Sequence, residues 1–158
     1  MKDSLAKVRK YALMLLSYRD RSEKEIKERL ERKGFEDEYI KAVIGEFKEK
    51  GLIDESKFAR ILKEDAIKRK YLSINSAKQH IIKKGIPKDV VEQIFSEEKI
   101  DDTETARRLI ERRMKMLETH SKNEIAKKLY NLLIRKGYSY EIIRKILIEK
   151  NLLQEVYL

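Results

Sequence analysis

His80 and His120 are the only histidines in a chain of 158 residues, and they stand forty residues apart. They are the only side chains whose ordinary titration falls near neutral pH. Neither has carboxylates or a second imidazole at metal-ligand spacing, and a zinc centre needs more ligands than these. There is no cysteine, so disulfides and thiolate metal sites are excluded. The pairs Glu97-Glu98 and Asp101-Asp102 could in principle hold Mg²⁺, but their place between two apolar-periodic segments reads as a linker and a helix start. No Gly-rich phosphate loop, nucleophile elbow or Cys–His arrangement is present. The chain is therefore expected to have no catalytic residue, no metal and no cofactor, and not to be an enzyme.

The chemistry the sequence does offer is cationic. Lys plus Arg number 38 against 28 Asp plus Glu, for a net charge of +10 and a pI of about 9.6. A chain this basic usually meets a polyanion, nucleic acid being the commonest, although Lys/Glu-rich composition also marks heat adaptation. The cations gather in Lys68-Arg69-Lys70, Lys83-Lys84, Arg107-Arg108, Arg112-Arg113, Lys127-Lys128 and Arg135, the last followed by Lys136. These residues, Lys136 aside, form the candidate polyanion-binding set. Arg108 and Arg112 are four apart and can form a stripe on one helix face, where Arg suits bidentate phosphate contacts. Cations against acids run 14 to 12 in residues 1–54, 11 to 8 in 55–101 and 13 to 8 in 102–158. The first third thus reads as a solvated face, the middle and last thirds as a contact surface. Tyr71, Tyr130, Tyr138 and Tyr140 are candidates for stacking on bases, though Tyr138 and Tyr140 fall at core-pattern positions.

The elements that must position these cations are legible from a repeat. "ERKGF", "IKKGI" and "IRKGY" place Gly34, Gly85 and Gly137 at spacings of 51 and 52. Leu30, Ile81 and Leu133 stand four before each glycine, and Ile26, Ala77 and Leu129 eight before. Phe35, Ile86 and Tyr138 follow directly, and Ile40, Val91 and Ile143 stand six after. Those offsets describe one apolar helical face before the glycine and another after it. Each glycine reads as a left-handed helix cap behind a cationic last turn, with the next apolar residue folding back; Gly51-Leu52 repeats the device. Ser22 to Glu25 and Ser121 to Glu124 read as capping boxes. Ser22 and Ser73 each lie 12 residues before their glycine and Ser121 lies 16 before, so the third such helix should be about one turn longer. Ala12, Ala59 and Ala106, at spacings of 47, mark a further helix ahead of each pair. The expected fold is all-α: three tandem three-helix repeats over 1–54, 55–101 and 102–158, forming an elongated, curved array. Repeats of about fifty residues bury too little to be very stable alone, so neighbours should pack together.

No apolar run approaches the roughly 20 residues of a membrane span. The start, "MKDSLAKVRKYALMLLSYRD", carries Asp3 and no small-residue cleavage site, so it reads as a helix and not a signal peptide. Without cysteine, a cytoplasmic protein is expected.

"YALMLLSYRDRSEKEIKERLERKGFEDEYIKAVIGEFKEKGLIDESKFAR" (11–60) resembles the N-terminal half of the RecX family, bacterial regulators of the RecA recombinase. Its most specific pieces are the R-x-x-S-x-x-E run leading to K-G-F at 19–35 and G-L-I-D-E-x-K-F-A at 51–59. "LIRKGYSYEIIRKIL" (133–147) resembles the ending of that family's third repeat. The middle repeat departs: where the family usually has a glycine, this chain reads "KRKYLSIN" (68–75). The resemblance implies a non-enzymatic monomer that binds the RecA–single-stranded-DNA filament, with double-stranded DNA as a further candidate ligand and no membrane partner. It implies inhibition of filament growth, ATP hydrolysis and strand exchange, and so damping of recombination and the DNA-damage response. Two alternatives stand beside it: a basic helical DNA-binding protein acting alone, and a helical-repeat adaptor that binds only proteins. No helix singles itself out as a base reader, which weakens the first.

Overall fold

The computed structural model describes residues 2–154, with side chains from Ser4 onward; the side chain of Asp3 and the last four residues of the third repeat lie outside them. Among the described residues every regular element is helical. They are α1 (Lys2–Tyr18), α2 (Glu23–Lys33), α3 (Asp37–Glu49), α4 (Glu55–Glu64), α5 (Ile74–Lys83), α6 (Lys88–Ser96), α7 (Asp102–Met114), α8 (Lys122–Arg135) and α9 (Tyr140–Glu149). A π-helical turn at Asp65–Arg69 extends α4. α8 has 14 residues against 11 in α2 and 10 in α5, the extra turn expected from the serine spacing.

The chain packs as two compact units, 1–62 with 80–97, and 63–79 with 98–158. In the first, α1, α2 and α3 pack on one another around Val8, Ala12, Ile26, Leu30, Ile40, Val43 and Phe47. In the second, α7, α8 and α9 enclose Ala106, Ile110, Leu129, Leu133, Ile143 and Ile146. Every apolar position aligned above is buried except Phe35, which is half-buried. Burial of such a face, more than propensity, is what holds helices this short.

The four expected cap glycines, Gly34, Gly51, Gly85 and Gly137, have φ of 91°, 71°, 97° and 88°. Two of them also act as joints. A Cβ on Gly85 would stand 2.6 Å from Ser22 Oγ, and the Ser22 hydroxyl donates to the Lys84 carbonyl at 2.9 Å. A Cβ on Gly137 would stand 1.8 Å from Ser76 Oγ and 2.9 Å from Ser73 Oγ, while the Ser73 N–H donates to the Lys136 carbonyl at 3.0 Å. The start of α2 is thus seated on the end of α5, and the start of α5 on the end of α8. The first joint lies wholly in the first compact unit and the second wholly in the second, so each unit takes in part of the 55–101 segment.

Three local expectations are corrected. Ser121 forms a full capping box, but at Ser22 only half of one exists: the Glu25 N–H donates to Ser22 Oγ at 3.1 Å, while the Glu25 carboxylate is taken by Arg19 and Arg21. Tyr140 is 64% exposed, because it opens α9 directly after its N-cap Ser139. After Gly51 the residue that enters the core is Ile53, and Leu52 stays largely exposed. The matching end of α9 uses Asn151, at φ 57°, where α3 uses Gly51; asparagine tolerates this region better than other side chains.

Burial pushes the Glu25 carboxyl up, but Arg19 and Arg21 outweigh it and hold the group below its usual 4.5. A carboxyl whose folded pKa is depressed stabilises at neutral pH and loses that contribution as pH falls through the folded value. Glu25→Gln is therefore expected to flatten the acid side of a plot of thermal midpoint against pH. An unchanged acid limb would show that Arg19 and Arg21 do not act through this carboxylate.

The departure at 68–75 has a physical account. Tyr71 stands at φ 53°, the left-handed region that favours glycine, and so carries backbone strain. Its ring packs on the core of the second unit, and its carbonyl accepts the Tyr138 hydroxyl at 2.7 Å. Burial raises the Tyr138 pKa, so the phenol stays protonated as that donor. Tyr138→Phe is expected to cost about 1 kcal/mol in urea unfolding, the usual loss for one partly buried hydrogen bond. A loss within error would mean water replaces the hydroxyl.

Candidate polyanion interface

The twelve candidate cations divide by what they already touch. Lys68 pairs with Glu64 at 3.1 Å, Arg69 with Asp65 at 3.1 Å and Lys70 with Asp65 at 3.3 Å. These are local and largely exposed pairs of small energetic worth. Arg107 is committed to the fold, bridging Glu104 at 2.6 Å and Glu149 at 3.2 Å, so that it ties α7 to α9. Its guanidinium holds the Glu149 carboxyl below the usual carboxylate range. Arg108 reaches Glu104 at 3.5 Å and remains exposed.

The other seven, Lys83, Lys84, Arg112, Arg113, Lys127, Lys128 and Arg135, are exposed and have no ion pair among the described residues. Five of these belong to α7 and α8. Beside them Lys136 is half-buried; burial, then Arg113, Arg135 and Lys70, push its ammonium below the usual lysine value. Like charges held together this way destabilise one another until an anion arrives. In the sequence Lys136 is one of the cations of a capped last turn, and its proximity to Lys70 and Arg113 arises only from packing. Tyr130 and Tyr140 are exposed and available for stacking, whereas Tyr138 is buried and Tyr71 partly so.

The two histidines belong to no metal cluster among the described residues. Asp101 and Asp102 act in the start of α7 and the joint. Asp101 accepts the Thr103 N–H at 2.9 Å, and Asp102 accepts the Ile74 N–H at 2.8 Å. Glu97 pairs with Arg60 and Glu98 with Lys63.

The two most specific sequence signatures are also spent on structure. In R-x-x-S-x-x-E, Arg19 holds Glu25 and Ser22 caps α2, while the neighbouring Arg21, 8% exposed, donates to the Leu15 carbonyl at 3.1 Å. In G-L-I-D-E-x-K-F-A, Ile53, Phe58 and Ala59 are buried, Asp54 accepts the Lys57 N–H at 3.1 Å, and Glu55 accepts the Glu23 N–H at 3.3 Å.

Helical three-helix repeats carrying a surplus of cations that no described ion pair compensates define a basic helical-repeat protein. The chain matches the models of the first three-helix domain of RecX over residues 9–47 and of its third three-helix domain over 100–147. It is 30% identical over 151 residues to the regulatory protein RecX of Clostridium botulinum (strain Alaska E43 / Type E3), covering 94% of this chain and 70% of that one. It is 30% identical over 135 residues to that of Chlorobium limicola, covering 85% and 84%. A crystal structure of RecX from Lactobacillus salivarius superposes with a TM-score of 0.77 at 25% identity, covering 97% of this chain and all of the other. The chain belongs to the RecX family, whose named relatives here are regulatory proteins. No helix among the described residues is long and apolar enough to cross a membrane.

Proposed function

We propose that this protein binds a RecA–single-stranded-DNA filament and limits its growth, ATP hydrolysis and strand exchange, acting in the cytoplasm, as a monomer and without catalysis of its own. The observation that carries this reading is the set of uncompensated cations on α7 and α8, with Lys136 repelled by its neighbours. A nucleoprotein filament offers phosphates and acidic side chains at close intervals, and both would relieve that repulsion. Holding on to the filament would block addition or rearrangement of its protomers, so recombination and the DNA-damage response would be damped.

The test is ATP hydrolysis by the cognate recombinase on single-stranded DNA, titrated with substoichiometric protein. A fall in rate with shortened filaments is expected. An unchanged rate and filament length would overturn the proposal, and tight salt-dependent DNA binding in that case would favour a DNA-binding protein acting alone.

A further inference from the structure

The end of α7, the turn that follows it and the second half of α8 line an open groove of about 550 Å³. Its size is in the range of ligand-binding clefts, and all of its lining lies within the second compact unit. Leu117 and Ile134 supply aliphatic surface, Arg113, Lys128 and Arg135 supply cations, and the Asn131 amide stands between them. Among the described residues no carboxylate lines it. Ile134 is 47% exposed, and Met116, next in the chain to Leu117, is 69% exposed.

We propose that this groove is a docking site for an acidic amphipathic peptide segment of a protein partner, whose aliphatic anchors cover Leu117 and Ile134 while its carboxylates pair with Arg113, Lys128 and Arg135. Charge complementarity selects an acidic ligand, and the apolar floor selects a peptide over a nucleic-acid strand. A phosphodiester backbone gains nothing from Leu117 and Ile134, and single-stranded nucleic acid is usually held by aromatic platforms, of which the described lining has none. An amphipathic helix or turn presents apolar anchors flanked by charge, which is the pattern here. Asn131, with a donor and an acceptor, can pair with a peptide group of the ligand. The inference goes beyond the filament reading, because it holds for any protein that presents such a segment.

The experiment uses the full chain and three fluorescent probes. These are a short Glu/Asp peptide with leucines one helical turn apart, the same peptide with serines in their place, and oligo-dT. The leucine peptide is expected to bind at least about tenfold tighter than the serine peptide, the effect of burying one aliphatic side chain. Ile134→Ser, which removes the aliphatic anchor and leaves the charge unchanged, should abolish that difference while leaving oligo-dT affinity unchanged. Because Ile134 is half-exposed, the variant should keep its thermal midpoint. A shift of the Asn131 side-chain amide resonance on adding the leucine peptide to the unaltered protein gives a readout that needs no variant. Equal affinity for the two peptides, or an unmoved Asn131 resonance, would overturn the proposal. So would displacement of the peptide by oligo-dT together with weakened oligo-dT binding in Ile134→Ser, which would assign the groove to nucleic acid. A filament-inhibition failure with an intact leucine preference would overturn the proposed function and leave the groove standing.

Discussion

Gly137→Ala is expected to destabilise the second compact unit by about 3 kcal/mol, from two independent costs. The first is conformational: at φ 88° an L side chain occupies a region that disfavours it by roughly 1–2 kcal/mol. The second is steric. The new Cβ would lie 1.8 Å from Ser76 Oγ and 2.9 Å from both Ser76 Cβ and Ser73 Oγ. Rotating the Ser76 hydroxyl relieves only the first contact. Ser73 is buried and accepts the Ser76 N–H as the cap of α5, so it cannot swing away without uncapping that helix. The start of α5 must move off the end of α8, stretching the bond from Ser73 N–H to the Lys136 carbonyl, and overpacking of this kind costs roughly 1–3 kcal/mol. Gly34→Ala is the control, since nothing lies within 4 Å of its Cβ position and only the conformational cost applies. Urea unfolding of both variants decides the matter. Equal losses would show that the joint yields freely and that Gly137 is only a cap.

Reversing Arg112 and Lys127 to glutamate is expected to weaken binding to single-stranded DNA by roughly tenfold to a hundredfold without unfolding the chain. Both are exposed and unpaired among the described residues, and neither lines the α7/α8 groove. If each meets one phosphate, the slope of log affinity against log salt should fall by about 1.4. Inhibition of the recombinase should weaken in parallel. The matching control is Lys68→Glu with Arg69→Glu, a reversal of the same size on cations already paired with Glu64 and Asp65. A smaller loss is expected there. Equal losses in the two variants would mean that net charge, and no particular face, governs binding.

The repeat was fully legible from spacing. The apolar offsets around Gly34, Gly85 and Gly137 correctly anticipated the three pairs of helices and core positions in all three, and the serine spacing anticipated the added turn of α8. Such periodicity is dictated locally: a helix of 3.6 residues per turn has one face to bury, and a capped end needs a residue that tolerates positive φ. The family resemblance was legible for the same reason. Its signatures at 19–35 and 51–59 are caps, clamps and core positions, fixed by backbone geometry.

The division of the cations was not legible. Arg107 and Arg108 are neighbours in the chain, yet one ties α7 to Glu149 of α9 and the other stays exposed. Arg112 and Arg113 look alike, yet only Arg113 lines the groove and crowds Lys136. Gly85 and Gly137 share a motif with Gly34, but only the former two carry joints. The sequence by itself determined which helices form, where they end and which faces they bury, because each depends on residues within a few turns. Tertiary structure alone decided which charges are spent inside the protein and which remain for a partner, because an ion pair depends on distances between groups far apart in the chain.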